Sequence, residues 1–443
     1  MSLIRYAAYR DSGVAWLGEV PSHWSVSQSR RLFAVRSEPA SATDKTLTAS
    51  QKYGVLFQSD FAEREGRRVA EVIMGTDSLT HVEPDDLIIS MRSFQGGIEW
   101  SKLRGSTSFH YVMLRPVKHV HPPYFAHLLK SASYIQALRT TTDLIRDGQE
   151  LRYSNFVQVD LPLVPMDEQK GIAAFLDHET AKIDALVDEQ KRLIGLLKEK
   201  RQAVISQAVT KGLNPSAPMK DSGVEWLGQV PAHWDVLRVK TASTFLTSGP
   251  RGWSEHVSEN GALFVQSGDL TEALSIDFEN AKRVVVTDDA ESKRTLLKVG
   301  DVLVCITGAK TGKVAVCEQT DEPAFINQHT CLIRPAAGIR PSYLGAYLLS
   351  ESEQRYFELT QYGLKQGLSL ENVKQAAVPV PPQMEQGNIV NHVNQRATEL
   401  DALTLAAEMS ITRLQERRAT LISAAVTGKI DVRRAVTRPE IPA

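Results

Sequence analysis

The chain's 443 residues, 42% of them apolar, suffice for two to four domains with ordinary buried cores. Lys plus Arg number 51 against 52 Asp plus Glu, which excludes a molecule-wide cationic field for a polyanion and leaves only local placement to attract one. The opening MSLIRYAAYR lacks the apolar core of a signal peptide, and no run approaches the roughly 18 apolar residues of a membrane span, so the expected address is cytoplasmic with no membrane partner.

An internal repeat sets the order of elements. DSGVAWLGEVPSHW at Asp11 to Trp24 returns as DSGVEWLGQVPAHW at Asp221 to Trp234, identical at eleven of fourteen positions. Each opening motif leads into a middle whose sequence differs between copies. A common frame still shows: DDLIISMR (Asp85 to Arg92) parallels GDVLVCIT (Gly300 to Thr307), and HYVMLRP (His110 to Pro116) parallels HTCLIRP (His329 to Pro335). Short β-branched runs between turn residues read as buried strands, so the middles are expected to be mixed α/β domains. Cys305, Cys317 and Cys331 lie in apolar runs without paired C-x-x-C spacing and read as buried small hydrophobes.

Each copy closes on a second match. LRYSNFVQVDLPLVPMDEQ (Leu151 to Gln169) parallels LSLENVKQAAVPVPPQMEQ (Leu368 to Gln386) at an offset of 217, which persists through AVTKG (Ala208 to Gly212) and AVTGK (Ala425 to Lys429). The opening motifs are offset by 210, so the second copy carries seven extra residues in its middle.

From Asp167, a plausible N-cap, apolar residues recur every seventh position at Leu176, Ile183, Leu197 and Val204, interrupted by Gln190, with Ile172, Leu186 and Leu193 as companions. Val393, Leu400, Ala407, Leu414 and Leu421 hold the same phase in the second copy, with Ile389 and Leu403 alongside. No proline interrupts either segment, which predicts two helices of roughly 60 Å at 1.5 Å per residue. A helix that long with a heptad stripe needs a coiled-coil partner, and the economical partner is its counterpart in the other copy. Packing of each helix on its own domain is the alternative. The expected division is a globular domain over residues 1–164, a long helix over 165–212, a second domain over 213–381, a second helix over 382–430 and a tail over 431–443.

Two variable domains alternating with two repeated helices, the DSGVxWLGxVPxHW opening and the P-x-x-E-Q start of each helix (Pro165 to Gln169, Pro382 to Gln386) together resemble the specificity subunit of type I restriction-modification systems, over essentially the whole chain. The resemblance implies target recognition domains that each read one half of a bipartite double-stranded DNA site, separated by antiparallel coiled-coil helices with pseudo-two-fold symmetry. It implies two methyltransferase subunits as partners and two restriction subunits in the full complex. S-adenosylmethionine, ATP and magnesium would belong to those partners, with no cofactor or metal in this chain. A tandem duplication gives one chain the approximate symmetry of a dimeric DNA reader, and unlike middles predict unlike half-sites. A coiled-coil assembly scaffold without its own sequence readout is the competing reading; an enzyme is the third.

Catalytic signatures argue against the enzyme. His121-Pro122-Pro123-Tyr124 resembles the (N/D)PPY motif of amino methyltransferases, but histidine stands first and the second copy reads Arg340-Pro341-Ser342-Tyr343, so a proline at a helix start explains both. Gly308 to Lys313 is one residue short of a phosphate-binding loop, and Val314 stands where Ser or Thr would hold magnesium. No glycine-rich S-adenosylmethionine loop, H-E-x-x-H or nuclease carboxylate pair is present.

Base discrimination needs polar side chains on loops that reach a groove, so the DNA-reading candidates are polar residues where the copies disagree. In the first middle these are Arg64, Arg67, Arg68, Arg92, Ser93, Gln95, Lys102, Arg104, Arg146, Gln149 and Arg152; in the second, Arg251, Trp253, Lys310, Thr311, Lys313, Lys365, Gln366 and Ser369. The segments IRDGQELR (Ile145 to Arg152) and YGLKQGLS (Tyr362 to Ser369) are favoured, because they align without a gap and the resemblance places such a loop near DNA. Leu176, Ile183, Leu197, Val204, Val393, Leu400, Leu414 and Leu421 are the coiled-coil and partner-docking candidates. Trp16, Trp24, Trp226 and Trp234, identical in both copies, cannot distinguish two half-sites and are assigned to docking the opening strand. The first middle carries 17 Lys plus Arg against 15 Asp plus Glu, and the second 15 against 18, so binding without partners should be weak and salt-sensitive.

Overall fold

The computed structural model describes residues 4–66, 79–90, 93–108, 110–141, 151–362 and 367–433. They form two compact units, one of residues 1–190 together with 409–443, the other of residues 191–408. Each unit holds one variable middle and parts of two long helices, α1 (Met166–Lys211) and α2 (Gln383–Val426). No helix among the described residues is long and apolar enough to cross a membrane.

The first unit is built on a four-stranded antiparallel sheet of β1 (Phe33–Arg36), β2 (Leu87–Ile89), β3 (Glu99–Trp100) and β4 (Val112–Pro116), in the order β1-β4-β2-β3. The second unit repeats it with β5 (Ser243–Ser248), β6 (Val302–Cys305), β7 (Val314–Val316) and β8 (Thr330–Pro335), in the order β5-β8-β6-β7. The parallel sequences DDLIISMR/GDVLVCIT and HYVMLRP/HTCLIRP supply the two central strands of each sheet, which is why they are apolar and buried. At the same place in each sheet a buried carboxylate meets a two-pronged guanidinium. Asp86 takes Arg36 of β1 at 2.7 and 3.1 Å, whereas Asp301 takes Arg334 of β8 at 2.8 and 2.7 Å. The three cysteines are buried in the second unit, and burial pushes the Cys317 thiol up to about 11.

Beyond this frame the units diverge. The first adds two hairpin-like pairs, Leu47–Ser50 with Gly54–Phe57 and Leu79–Val82 with Gly105–Ser108. The second adds a four-stranded sheet in which Ala262–Val265 and Ala324–Ile326 run parallel.

The repeated motifs meet each other. Gln169 is fully buried at the start of α1: its Oε1 accepts the His121 N–H at 2.8 Å, and its Nε2 donates to the His119 and Val164 carbonyls, both at 2.8 Å. Gln386 does the same in the second unit, accepting from Arg340 N–H at 2.8 Å and donating to Gly338 and Pro381 at 2.9 Å. One glutamine thereby ties three backbone groups that would otherwise be buried without partners. The preceding Glu168 accepts from Trp24 Nε1 at 2.9 Å and lies 2.6 Å from His23 Nε2; Glu385 lies 2.8 Å from His233 Nε2. Asp167 sits in the first turn of α1 rather than capping it.

The glycine after each long helix packs on the opening motif. Gly428 has φ +72° and would place a Cβ 2.4 Å from Pro21; Gly212, at φ +73°, would place one 3.1 Å from Trp234. The neighbouring lysines also match, Lys429 donating to the Glu19 carbonyl at 2.6 Å and Lys211 to that of Gln229. In the second unit the helix end and opening motif are consecutive in the chain. In the first they come from opposite ends of the sequence, joined by Asp431 N–H to the Ile4 carbonyl at 2.7 Å and Tyr9 hydroxyl to the Gly428 carbonyl at 3.0 Å.

The long helices bury a regular 4-3 stripe. On α1 it runs through Leu176, Thr180, Ile183, Val187, Gln190, Ile194, Leu197, Arg201, Val204 and Ala208, and on α2 through Val393, Ala397, Leu400, Thr404, Ala407, Ile411, Leu414, Arg418, Leu421 and Ala425, each buried or half-buried. The sevenfold positions read from the sequence lie on it. Their companions do not: Leu186, Leu193 and Leu403 are 52%, 40% and 54% exposed, because each stands one residue before the seam position occupied by Val187, Ile194 and Thr404. Two seam positions are arginines, tolerated because each reaches an acid on the opposing helix. Arg418 lies 2.9 Å from Asp184 in the first unit, and Arg201 3.4 Å from Asp401 in the second. Between these pairs the position advances along α1 and retreats along α2, so the helices are antiparallel.

Candidate nucleic-acid interface

In both central sheets the connecting loops gather at one edge, where the outer and inner strands end and the long central strand begins. In the second unit β5 ends at Ser248, β6 at Cys305, and β8 starts at Thr330. Gly249 presses on the turn before β8 so closely that a Cβ there would lie 2.2 Å from the Ile326 carbonyl. The Leu368 N–H donates to the Ile306 carbonyl at 2.7 Å, and Ile306 N–H to that of His329 at 2.9 Å, while Thr307 bridges Gly367. Tyr362 and Gly367 exchange backbone hydrogen bonds at 3.0 and 3.2 Å, closing the base of the favoured loop against the same edge. Residues from four separate segments thus surround one surface.

The candidates separate by what their side chains already do. Arg251 is exposed beside Gly252. Trp253 is half-buried, its ring 5.7 Å from that of Phe325 and 6.3 Å from that of Phe264, so it packs rather than projects. Lys310 and Thr311 lie on the β6–β7 hairpin, with Lys310 Nζ on the Gly268 carbonyl at 3.0 Å and Thr311 Oγ1 on that of Gly308 at 2.7 Å. Lys313 is only 16% exposed and lies 2.9 Å from Glu272. Ser369 corrects the sequence reading: its Oγ accepts the Asn372 N–H at 3.0 Å as the cap of the helix Leu370–Gln375. Lys365 and Gln366 lie outside the described residues.

In the first unit Ser93 is likewise corrected. It is fully buried, and its Oγ accepts the Ser90 N–H at 2.8 Å, shaping the turn after β2. Gln95 is exposed in the following short helix, and Arg152 is exposed ahead of the helix Tyr153–Phe156, its N–H on Asn155 Oδ1 at 3.1 Å. Arg92, Arg146, Gln149, Arg67 and Arg68 lie outside the described residues. Arg64 is exposed on the helix Gln58–Glu65, its guanidinium 5.4 Å from the Tyr53 ring centre, and Lys102 stands 4.7 Å over Trp100.

Arg104 belongs to a charge cluster. It lies 3.8 Å from Asp44 and 3.7 Å from Glu83, and between those carboxylates His81 makes contacts of 2.6 and 2.8 Å with its two ring nitrogens. Burial alone would lower the His81 pKa, but the hydrogen bonds to Glu83 and Asp44 outweigh it and the net direction is up. The cluster balances two cations with two anions, which leaves little field for a phosphate.

Sequence reading passed over Thr307, Gln328 and His329, which hydrogen-bond one another at the edge in the second unit. The available signal was that the shared histidine, His110 or His329, follows phenylalanine in one copy and glutamine in the other. The methyltransferase-like tetrapeptides are structural: Pro122 and Pro341 occupy first helical turns, and the buried hydroxyls of Tyr124 and Tyr343 donate to the Val426 and Pro379 carbonyls at 2.9 and 2.8 Å.

Residues 255–405 match the family described as the type I restriction modification DNA specificity domain. The EcoKI specificity subunit of Escherichia coli strain K12 is 25% identical over 384 residues, spanning 81% of this chain and 78% of its own length. The putative MjaX specificity subunit of Methanocaldococcus jannaschii is 21% identical over 449 residues, spanning 94% and 96%. Among solved structures, a chain of the type I R-M system studied for complex assembly and conformational transition aligns with a TM-score of 0.69 at 14% identity, over 92% of this chain and 98% of that one. The HsdS subunit of Thermoanaerobacter tengcongensis aligns with a TM-score of 0.52 at 15% identity, over 93% and 98%. The internal repeat, the paired long helices and these likenesses agree, and the chain belongs to the family of type I restriction-modification specificity subunits.

Proposed function

We propose that this chain is the DNA-sequence-reading subunit of a type I restriction-modification complex. The recognition domains are residues 1–164 and 213–381, and each reads one half of a bipartite, asymmetric site in double-stranded DNA. The observation that carries the reading is the duplicated central sheet, identical in strand order but carrying different loops at the same edge. A constant frame with exchangeable loops is what reading two unlike half-sites requires, with antiparallel helices fixing the interval between them.

In this reading the chain has no catalytic residues. It directs two methyltransferase subunits and, in the restricting complex, two restriction subunits, in the cytoplasm. S-adenosylmethionine, ATP and magnesium act in those partners. The near-neutral charge of both middles means that the partners supply much of the phosphate contact.

The test is to co-express the chain with its methyltransferase subunit and map methylated adenines across the host DNA by single-molecule sequencing. The expected result is a split motif with a fixed gap, one half of which changes when residues 24–164 are exchanged for another recognition domain. A stable complex that methylates nothing favours the scaffold reading, which the balanced charge would suit.

A further inference from the structure

At the loop edge of the second unit, most polar side chains are spent on the fold: Ser369 caps a helix, Thr311 closes its own turn and Lys313 meets Glu272. Gln328 differs. The turn that presents it is rigid, because the buried Asn327 side chain accepts both the His329 N–H at 3.1 Å and the Thr330 hydroxyl at 2.9 Å. Gly249 supports that turn from behind, backbone against backbone. On its outer side Gln328 Nε2 lies 3.1 Å from His329 Nε2, and His329 Nδ1 contacts Thr307 Oγ1.

These contacts fix the hydrogens. An amide nitrogen can only donate, so His329 Nε2 accepts; its Nδ1 then carries the ring hydrogen and donates to Thr307. The Gln328 amide is thereby held in one orientation, with its carbonyl oxygen and second N–H unengaged among the described residues. One acceptor and one donor side by side on a half-buried, immobilised amide match the N6 amino group and N7 of adenine in the major groove, the pairing made by Asn or Gln.

We propose that Gln328 is a base-reading residue of the second recognition domain, selecting adenine, and that His329 and Thr307 are its positioning residues. The proposal rests on the reading of this chain as a DNA-specificity subunit. It also accounts for one difference between the copies, since Phe109, outside the described residues, stands where the repeat aligns Gln328.

The experiment uses the full chain co-expressed with its methyltransferase subunits, with methylated-adenine mapping as readout. Gln328→Glu keeps the shape but exchanges the amide's donor for an acceptor, which suits the cytosine amino group. The expected result is that one position in one half-site loses its adenine preference by about tenfold to a hundredfold and gains cytosine, while the other half-site and the gap are unchanged. Gln328→Ala should relax the same position without a new preference. His329→Ala should relax it too, at an unchanged melting temperature, a pattern that a merely structural histidine would not give.

Unchanged motifs in both Gln328 variants would overturn the proposal while leaving the wider reading intact. So would loss of preference spread over both half-sites, which would mark Gln328 as a folding residue. A wild-type complex that methylates no split motif would overturn the wider reading, and the proposal with it.

Discussion

Beneath the opening tryptophans the two units solve one packing problem in different ways. Serine caps at Ser131 and Ser350 start equivalent helices and bring Tyr134 and Glu353 to the same place. In the first unit Trp16 meets the Tyr134 ring edge-on at 5.7 Å and donates its N–H to the Asp160 carbonyl at 3.1 Å. In the second, Trp226 lies flat on Tyr356 at 4.6 Å, and Glu353 takes the tyrosine's place, fully buried, with the Tyr347 hydroxyl 3.1 Å from Oε2. A few residues away Gln169 and Gln386 make superimposable sets of three hydrogen bonds. Side chains that only fill volume have drifted between the copies, and those that complete backbone hydrogen bonds have not, because an apolar gap can be refilled in many ways but a buried N–H has few partners.

The largest test of that contrast is to remove the shared glutamines. Gln169→Leu and Gln386→Leu each strand buried backbone groups and should cost about 3–5 kcal/mol, read by denaturant unfolding with a probe in each unit. Costs that differ by more than about 1 kcal/mol would break the claim of equivalence. A smaller effect separates the second tryptophans. Trp24→Phe loses a hydrogen bond to the Glu168 carboxylate and should cost about 2 kcal/mol more than Trp234→Phe, whose indole N–H has no hydrogen-bond partner among the described residues. Melting temperatures of the two variants decide this.

The smallest effect is a slope with pH. Burial pushes the Glu353 carboxyl up to about 8, against the lowering influence of the Tyr347 hydroxyl. A raised carboxyl binds its proton more tightly in the folded state, so its stabilisation is complete below 4.5 and is lost as pH rises through 8. Relative to Glu353→Gln, the second unit should lose at most about 1.4 kcal/mol per pH unit across that interval. The first unit, with Tyr134 at that place, should show no matching slope from this position.

Much of the frame was legible because the repeat exposes it. The central strands, both long helices and the proline-led short helices follow from apolar runs and breakers that recur at fixed offsets. The companion leucines of the coil were misread because Leu186 and Leu193 look better suited to a seam than Thr180 or Arg201. Only the partner helix, with Asp401 opposite Arg201, makes a charged seam residue tolerable. At the loop edge, residue type alone separates poorly. Ser93 and Ser369 have the chemistry of base readers but are consumed by turns and caps, local backbone needs that a list of polar residues does not reveal. Gln328 was passed over because the value of its amide depends on His329 and Thr307, and Thr307 lies on another strand.

The two junctions between a helix end and an opening motif have a consequence for how such a chain can be cut and sewn. Pro21, Trp24, Gly428 and Lys429 make by contact alone the join that Gly212 and Trp234 make along continuous backbone. Covalent continuity is therefore incidental to this joint. Linking the present ends and opening the chain near Leu213 would keep every side-chain contact named above, so the order in which the two copies are encoded is a matter of gene history and not of architecture.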